Sequence, residues 1–261
     1  MAEAAGNAAP VSGSRPEGAR SEADASHKVR EMFTEIAPRY DLLNHLLSLQ
    51  IDRSWRARAA RLLRPILERE DALVLDLCCG TGDLALALRE RGRARIIGAD
   101  FAHTMLVRAR KKSGMGQNAS GHGEPLSLAE ADALRLPFAS ESFDLVTTAF
   151  GFRNLANYEG GLREIHRVLK PGGTIAILEF TEPPDNFFGN LYRWYFNTAL
   201  PRVGGIISGH RDAYSYLPRS VSRFFRPAQL AELLATAGYE SAQYRTWTLG
   251  TVALHTAKRQ S

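Results

Sequence analysis

Three short stretches of this chain combine residue types that do chemistry. The run DLCCGTGDLA, from Asp76 to Ala85, joins an apolar strand-like segment to a helix-like one through Gly80, Thr81 and Gly82. Asp100 and the pair Asp132-Ala133 each close a later strand-like run. The third stretch, AFGFRN from Ala149 to Asn154, sets a guanidinium beside an amide at the end of another apolar run. Arginine is always charged and is rarely buried alone, so Arg153 is expected either to sit in an ion pair or to face a group that becomes anionic.

The glycine turn satisfies G-x-G-x-x-A, a dinucleotide fingerprint that is weak by itself. Asp100, about twenty residues further on, is where a carboxylate accepts from both hydroxyls of a ribose, which suits a nucleoside of either NAD or S-adenosylmethionine. Charge separates the two. Asp76 and Asp83 flank the turn and would oppose a pyrophosphate, whereas the sulfonium and ammonium of S-adenosylmethionine are cationic. Asp132 supplies a carboxylate for an adenine amino group and Ala133 a small side chain beside its ring. Each residue has a plainer role too: Gly80 and Gly82 permit a tight turn, Asp83 complements a helix dipole, and Asp100 and Asp132 read as helix caps when taken singly. Cys78 and Cys79 read as packing residues, with no base or cation beside them to activate a thiol.

The elements that must hold these groups alternate. Val29, Met32, Phe33 and Ile36 recur at helical spacing up to Pro38, and YDLLNHLLSLQIDRSWRARAARLL reads as two short helices, the second amphipathic and rich in arginine. Then come strands at DALVLDLCC, RARIIGAD, Leu126 to Ala131, FDLVTTAF and TIAILEF, separated by helices and, before the last, by a Pro171-Gly172-Gly173 turn. A helix at AQLAELLATAG and two strands around Leu249-Gly250 complete the pattern. Such alternation implies an α/β fold with a doubly wound parallel sheet and a ligand crevice where the winding reverses. Residues 1–26, rich in Ala, Gly, Ser and Glu, are expected to be a disordered tail, and 27–261 one domain whose first part, 27–70, is a helical cap.

With 261 residues, 44% hydrophobic and 23% charged, the chain has the composition of a globular domain. Its adjacent cysteines cannot form a disulfide framework, so a reducing cytoplasm is expected. No run is long and apolar enough to span a bilayer, and no His or Cys spacing suggests a metal. A formal charge of +5 and a pI of about 9.4 suit an anionic membrane surface or nucleic acid. The arginines are spread along helices without a basic tract or an aromatic RNA-binding strand motif, which argues against RNA.

Together with the cofactor motifs, three segments resemble the class I S-adenosylmethionine-dependent methyltransferases and, within them, the ubiquinone/menaquinone biosynthesis C-methyltransferases. They are YDLLNHLLSLQIDRSWR (Tyr40 to Arg56), FGFRN, and YFNTALPRVGGIISGHRDAYSYLPRSVSRFFRP (Tyr195 to Pro227). The resemblance implies a Rossmann-like sheet of seven strands, the last antiparallel, with helices on both faces. It implies methylation of a ring carbon of 2-demethylmenaquinol, giving menaquinol and S-adenosylhomocysteine, with the benzoquinol of ubiquinone synthesis as a further acceptor. Cofactor contacts carry over to Thr81, Asp100, Asp132 and Ala133. Ala149 departs from the serine of some members, and Gln50 and Asp52 differ from the commonest first signature.

For this chemistry a phenolate must be stabilised as the ring carbon attacks. The expected roles are Arg153 as an electrostatic stabiliser, Asn154 orienting a substrate oxygen or else serving as an N-cap or turn residue, and Tyr40 capping the ring or hydrogen-bonding to it. The structural alternative for Arg153 is a pair with Asp41 or Glu179. No residue stands out as the base, so a water or a carboxylate is expected to take the proton. Tyr214 and Tyr216 read equally as substrate-side or core residues. An aromatic stripe from Phe187 to Phe196 reads as a path for a polyprenyl tail, a packed helix or a homodimer interface. The acceptor alternatives are another small phenol or a lipid.

Overall fold

The computed structural model describes residues 13–39, 50–115, 126–183 and 219–260, together with Gly189 and Tyr216. Tyr40, Asp41, Tyr214 and most of the aromatic stripe lie outside the described residues. Helix α1 runs Glu22–Ile36, and the Ser21 side chain caps it by accepting from the Asp24 amide. It therefore begins inside the segment expected to be a disordered tail. The Ser21 cap and the burial of Ala25 and Val29 on one face supply what composition alone did not display. Helices α2 (Ile51–Leu62) and α3 (Arg64–Leu67) follow, the latter opened by Pro65 in its first turn.

The sheet has seven strands: β1 (Leu73–Leu77), β2 (Arg95–Asp100), β3 (Ser127–Glu130), β4 (Phe143–Ala149), β5 (Leu169–Phe180), β6 (Tyr239–Trp247) and β7 (Val252–Arg259). Their order is β3-β2-β1-β4-β5-β7-β6. β7 runs antiparallel to both its neighbours and the other pairs are parallel, as the resemblance implied. Helices α4 (Asp83–Arg89), α5 (His103–Met115), α6 (Tyr158–Val168) and α7 (Pro227–Thr236) link the strands.

Alternation along the central strands explains the two-faced burial. Leu75, Val146, Ile175 and Ile177 pack on one face with Leu162, Ile165 and Val168 of α6 and Leu230 and Leu234 of α7. Val74, Leu145, Ala176 and Leu178 pack on the other with Trp55, Ala59 and Ala60 of α2 and Leu84 and Leu88 of α4. Both faces being covered is why these strands read as nearly continuous apolar runs.

One boundary differs from the sequence reading. Pro171-Gly172-Gly173 does not separate helix from strand; β5 begins at Leu169, pairs with Phe143, and resumes pairing at Thr174 opposite Leu145. The residues between bulge outward, with Gly172 at φ +72°. Asp144, the residue skipped on β4, holds the bulge by accepting from Lys170 Nζ at 2.7 Å and from the Leu73 amide at 3.0 Å.

Candidate active site

The winding reverses between β1 and β4, and a cleft opens at the carboxyl ends of these strands. Both strands end abruptly there. Cys78, just past β1, has φ +54°, and Phe150, just past β4, has φ +60°; neither is a glycine. Side chains rarely adopt this left-handed region, so the surrounding packing must hold it. The two ends also touch: a Cβ on Gly151 would lie 2.4 Å from the Cys78 Cβ, so only glycine lets the β4 turn pass the β1 turn.

On the β1–β3 side the cleft is lined by Gly80, Asp100, Asp132 and Ala133, all expected from sequence. Gly80, at φ +54°, turns its amide onto Asp100 Oδ2 at 2.8 Å, while the Ala102 amide donates to Oδ1 at 2.9 Å. Each oxygen keeps acceptor capacity, and the carboxyl group is presented at the end of β2 as a ribose diol requires. Burial pushes the Asp100 carboxyl up, and these amides pull it back. Asp132 is exposed, and its Oδ1 is already oriented by the Leu134 amide at 2.9 Å. Phe101, Met105, Ala131 and Ala133 make an apolar slot between the two acids. A flat adenine ring with its ribose fits that arrangement of acceptors and slot.

Asp76, Thr81 and Gly82 do not line the cleft. Asp76 is fully buried beneath the turn, where Oδ1 accepts from Thr147 Oγ1 at 2.9 Å and Oδ2 has no hydrogen-bond partner at bonding distance among the described residues. Burial pushes its carboxyl up to about 7, with Thr147 opposing. Thr81 Oγ1 accepts from Lys112 Nζ at 3.0 Å, and the same ammonium pairs with Asp83 at 2.7 Å. Arg56 Nη2 lies 3.8 Å from the other Asp83 oxygen. Gly82 shapes the turn at φ +84°, and a Cβ there would meet the Ala109 Cβ at 3.3 Å. Charge around the turn thus discriminates less than sequence suggested: Asp83 pairs with Lys112 and lies near Arg56, which it shares with Asp52, and burial raises the Asp76 carboxyl.

On the β4–β5 side, a single turn of 3-10 helix, Phe152–Asn154, buries both polar residues of FGFRN. Arg153 does not line the cleft. Its Nη1 donates to Glu179 Oε1 at 2.7 Å and to the Phe150 carbonyl at 2.5 Å, and its Nε to Ser220 Oγ at 3.3 Å. The guanidinium also lies 5.4 Å from the centre of the Phe180 ring. Glu179 is 1% exposed; β5 lies beside β4 with Leu178 opposite Ala149, which brings the carboxylate under the turn. The ion pair named from sequence as the alternative is the arrangement observed, because a buried guanidinium takes the carboxylate that the neighbouring strand supplies. Burial pushes the Glu179 carboxyl up, and Arg153 opposes that.

Asn154 does line the cleft, at 8% exposure, with Nδ2 3.4 Å from the Phe150 carbonyl and Oδ1 accepting from Tyr216 at 3.0 Å. Ser26 and Phe33 also line it, from α1. Phe33 belonged to the apolar repeat read from sequence, whereas Ser26 fell within the supposed tail and carried no pattern. Burial pushes the Cys78 and Cys79 thiols well up, consistent with packing roles.

Comparisons with known proteins give the chain its family. The chain is 51% identical over 229 residues to a demethylmenaquinone methyltransferase of Thermus thermophilus, covering 87% of this chain and 100% of that one. It is 46% identical over 228 residues to one of Deinococcus radiodurans, covering 87% and 90%. It is 40% identical over 238 residues to the ubiquinone/menaquinone biosynthesis C-methyltransferase UbiE of Geotalea daltonii, covering 90% and 98%. Among solved structures, a SAM-dependent methyltransferase of Thermotoga maritima superposes with a TM-score of 0.62 at 18% identity, covering 88% and 99%. The [4+2]-cyclase SpnF superposes at 0.64 with 17% identity, covering 95% and 99%, so at this distance likeness speaks for the fold alone. Residues 21–259 match the model of the ubiE/COQ5 methyltransferase family, and the chain belongs to that family.

Proposed function

We propose that this protein methylates a ring carbon of 2-demethylmenaquinol, with S-adenosylmethionine as donor, in menaquinone biosynthesis. The observation that carries the reading is one cleft with two unlike walls. The nucleoside-type wall of Asp100, Asp132 and Ala133 faces the strained Phe150–Asn154 turn of FGFRN across the β1–β4 reversal. The relatives bearing the name demethylmenaquinone methyltransferase support the choice of acceptor.

Bound S-adenosylmethionine supplies an electrophilic methyl group on a positively charged sulfur. The protein's residues do the rest. Asp100 holds the ribose hydroxyls, and Asp132 and Ala133 hold the adenine. Asn154 donates to the acceptor oxygen as it becomes anionic, and Tyr40 caps the ring. Arg153, tied to Glu179, holds the turn so that Asn154 faces the cleft, and its positive charge lies just behind that amide. A new carbon–carbon bond replaces the sulfur–methyl bond, and the ring proton leaves to water or a cleft carboxylate.

The acceptor's polyprenyl tail implies contact with a bilayer surface. Among the described residues no helix is long and apolar enough to cross a membrane. The exposed side of α2 instead shows Arg58 and Arg61 on the side of the helix that carries Ile51 and Leu62. The β6–β7 turn, tied to α2 by Trp55 Nε1 donating to Thr248 Oγ1 at 2.8 Å, adds the exposed Leu249. Arginines and aliphatic side chains on one face suit transient contact with anionic lipid.

The test is to incubate purified protein with methyl-labelled S-adenosylmethionine and reduced 2-demethylmenaquinone. Label is expected in the extracted quinone and not when the quinone is left oxidised. Tight donor binding with transfer only to another phenol or lipid would replace the acceptor.

A further inference from the structure

The segment 13–20 precedes the family match, which begins at residue 21, yet it is built into the wall of the site. The Ser14 amide donates to the Leu155 carbonyl at 2.7 Å, and Arg15 Nη1 donates to the Ala156 carbonyl at 2.6 Å. The approach is close enough that a Cβ on Gly13 would lie 1.9 Å from the Ala156 oxygen. Ser14 itself is 7% exposed. Its Oγ is 2.8 Å from the Tyr216 hydroxyl, which in turn is 3.0 Å from Asn154 Oδ1.

The direction of every proton in this chain follows from one group. The Phe150 carbonyl, 3.4 Å from one end of the Asn154 amide, has no hydrogen to give, so the end facing it is Nδ2. The other end is then Oδ1, which only accepts. Tyr216 must therefore donate to it, and burial pushes the Tyr216 hydroxyl further up, keeping it protonated. With its single hydrogen spent, Tyr216 can only accept from Ser14. The second Nδ2 hydrogen is what Asn154 has left to offer the cleft. A flipped amide would set two carbonyl oxygens against each other at Phe150 and aim an oxygen at a developing anion.

We infer that Ser14 and Tyr216 are positioning residues for methyl transfer, their hydrogen-bond chain locking the Asn154 amide so that it offers an N–H, not an oxygen, to the acceptor's anionic oxygen. This rests on the ring-methylation reading above, and it brings a segment ahead of the family match into the chemistry.

Two readouts on the full-length protein test it. In nitrogen-15 spectra the Asn154 side-chain amide is assigned by its disappearance in Asn154→Asp, and its hydrogen exchange needs no acceptor. Exchange is expected to be slow in the wild type and in Ser14→Thr, which keeps the hydroxyl, and about tenfold faster in Ser14→Ala and Tyr216→Phe, the loss of one hydrogen bond. In turnover with reduced demethylmenaquinone, kcat falls by about three- to tenfold in Ser14→Ala and Tyr216→Phe. S-adenosylmethionine affinity is unchanged, and Ser14→Thr restores the rate. Wild-type exchange in both variants, or faster exchange with an unchanged kcat, would overturn the assignment. If the wild type methylates no quinol, the function proposed above fails, while amide exchange still decides whether the chain of hydrogen bonds locks Asn154.

Discussion

The two walls of the cleft solve the same problem, a carboxylate out of water, in opposite ways. On the donor wall, Asp100 is held by two backbone amides, and Asp76 below it has one hydroxyl donor and no hydrogen-bonded cation. On the acceptor wall, Glu179 is as buried as Asp76 but carries Arg153 on Oε1 and takes the Arg153 and Phe180 amides as well. A wall shaped by backbone turns leaves its carboxylates with spare acceptor capacity for a ligand. A wall shaped by a buried ion pair is saturated, and what it presents to the cleft is a neutral amide with a fixed direction.

By that contrast, the acceptor wall is the one that fails when a single side chain is removed. Arg153→Ala leaves Glu179 buried without a cation and is expected to cost about 3–5 kcal/mol of stability by denaturant unfolding. Arg153→Lys keeps the charge and loses the planar fork, so it should fold and turn over more slowly, with donor affinity preserved. Normal turnover in that variant would confine Arg153 to holding the chain.

The donor wall should respond to pH through Asp76. Its carboxyl is pushed from 3.8 to about 7 in the fold, so the native state binds the extra proton between those values. That contribution to stability is complete below about pH 4 and is lost as pH rises through about 7. Asp76→Asn cannot ionise, and relative to wild type it should gain up to about 4 kcal/mol between pH 4 and pH 8. Parallel thermal unfolding curves for the two proteins across that range would contradict the burial assigned to Asp76.

Asp100→Asn tests whether the backbone-held carboxylate holds the donor. The variant should weaken S-adenosylmethionine binding by about ten- to a hundredfold in calorimetry, the value of one or two charge-assisted hydrogen bonds, with little change in quinol KM. Thr81→Ala is expected to have the smallest effect, under about threefold on the same affinity, because its hydroxyl is occupied by Lys112 rather than aimed at the cleft. A larger loss at Thr81 than at Asp100 would invert the description of this wall.

How far the sequence was legible follows the same division. The strands and their alternation with helices could be read because both faces of the central strands are apolar and the helices between them are amphipathic. Gly80, Asp100, Asp132 and Ala133 could be placed because they sit at fixed offsets from strand ends, where backbone geometry does the positioning. Arg153 could be located but not oriented: its partner depends on the register of β5 against β4, which no local pattern encodes. Ser14 was illegible for a different reason. A serine in a run of small polar residues has no periodicity, and only its 2.8 Å contact with Tyr216, two hundred and two positions away, reveals it. The bulge after Leu169 was hidden likewise, since Pro-Gly-Gly signals a turn and only the Asp144 contacts keep the strand continuous.

The most direct test of the account is the position of the transferred methyl. Donor carrying a carbon-13 methyl group is incubated with the protein and 2-demethylmenaquinol, and the extracted product is resolved by carbon NMR. Ring methylation predicts the label as a methyl group bonded to the quinone ring carbon, in a product identical to menaquinone after oxidation. A label found on a ring oxygen as a methyl ether, or none in the quinone while S-adenosylhomocysteine accumulates, would contradict it.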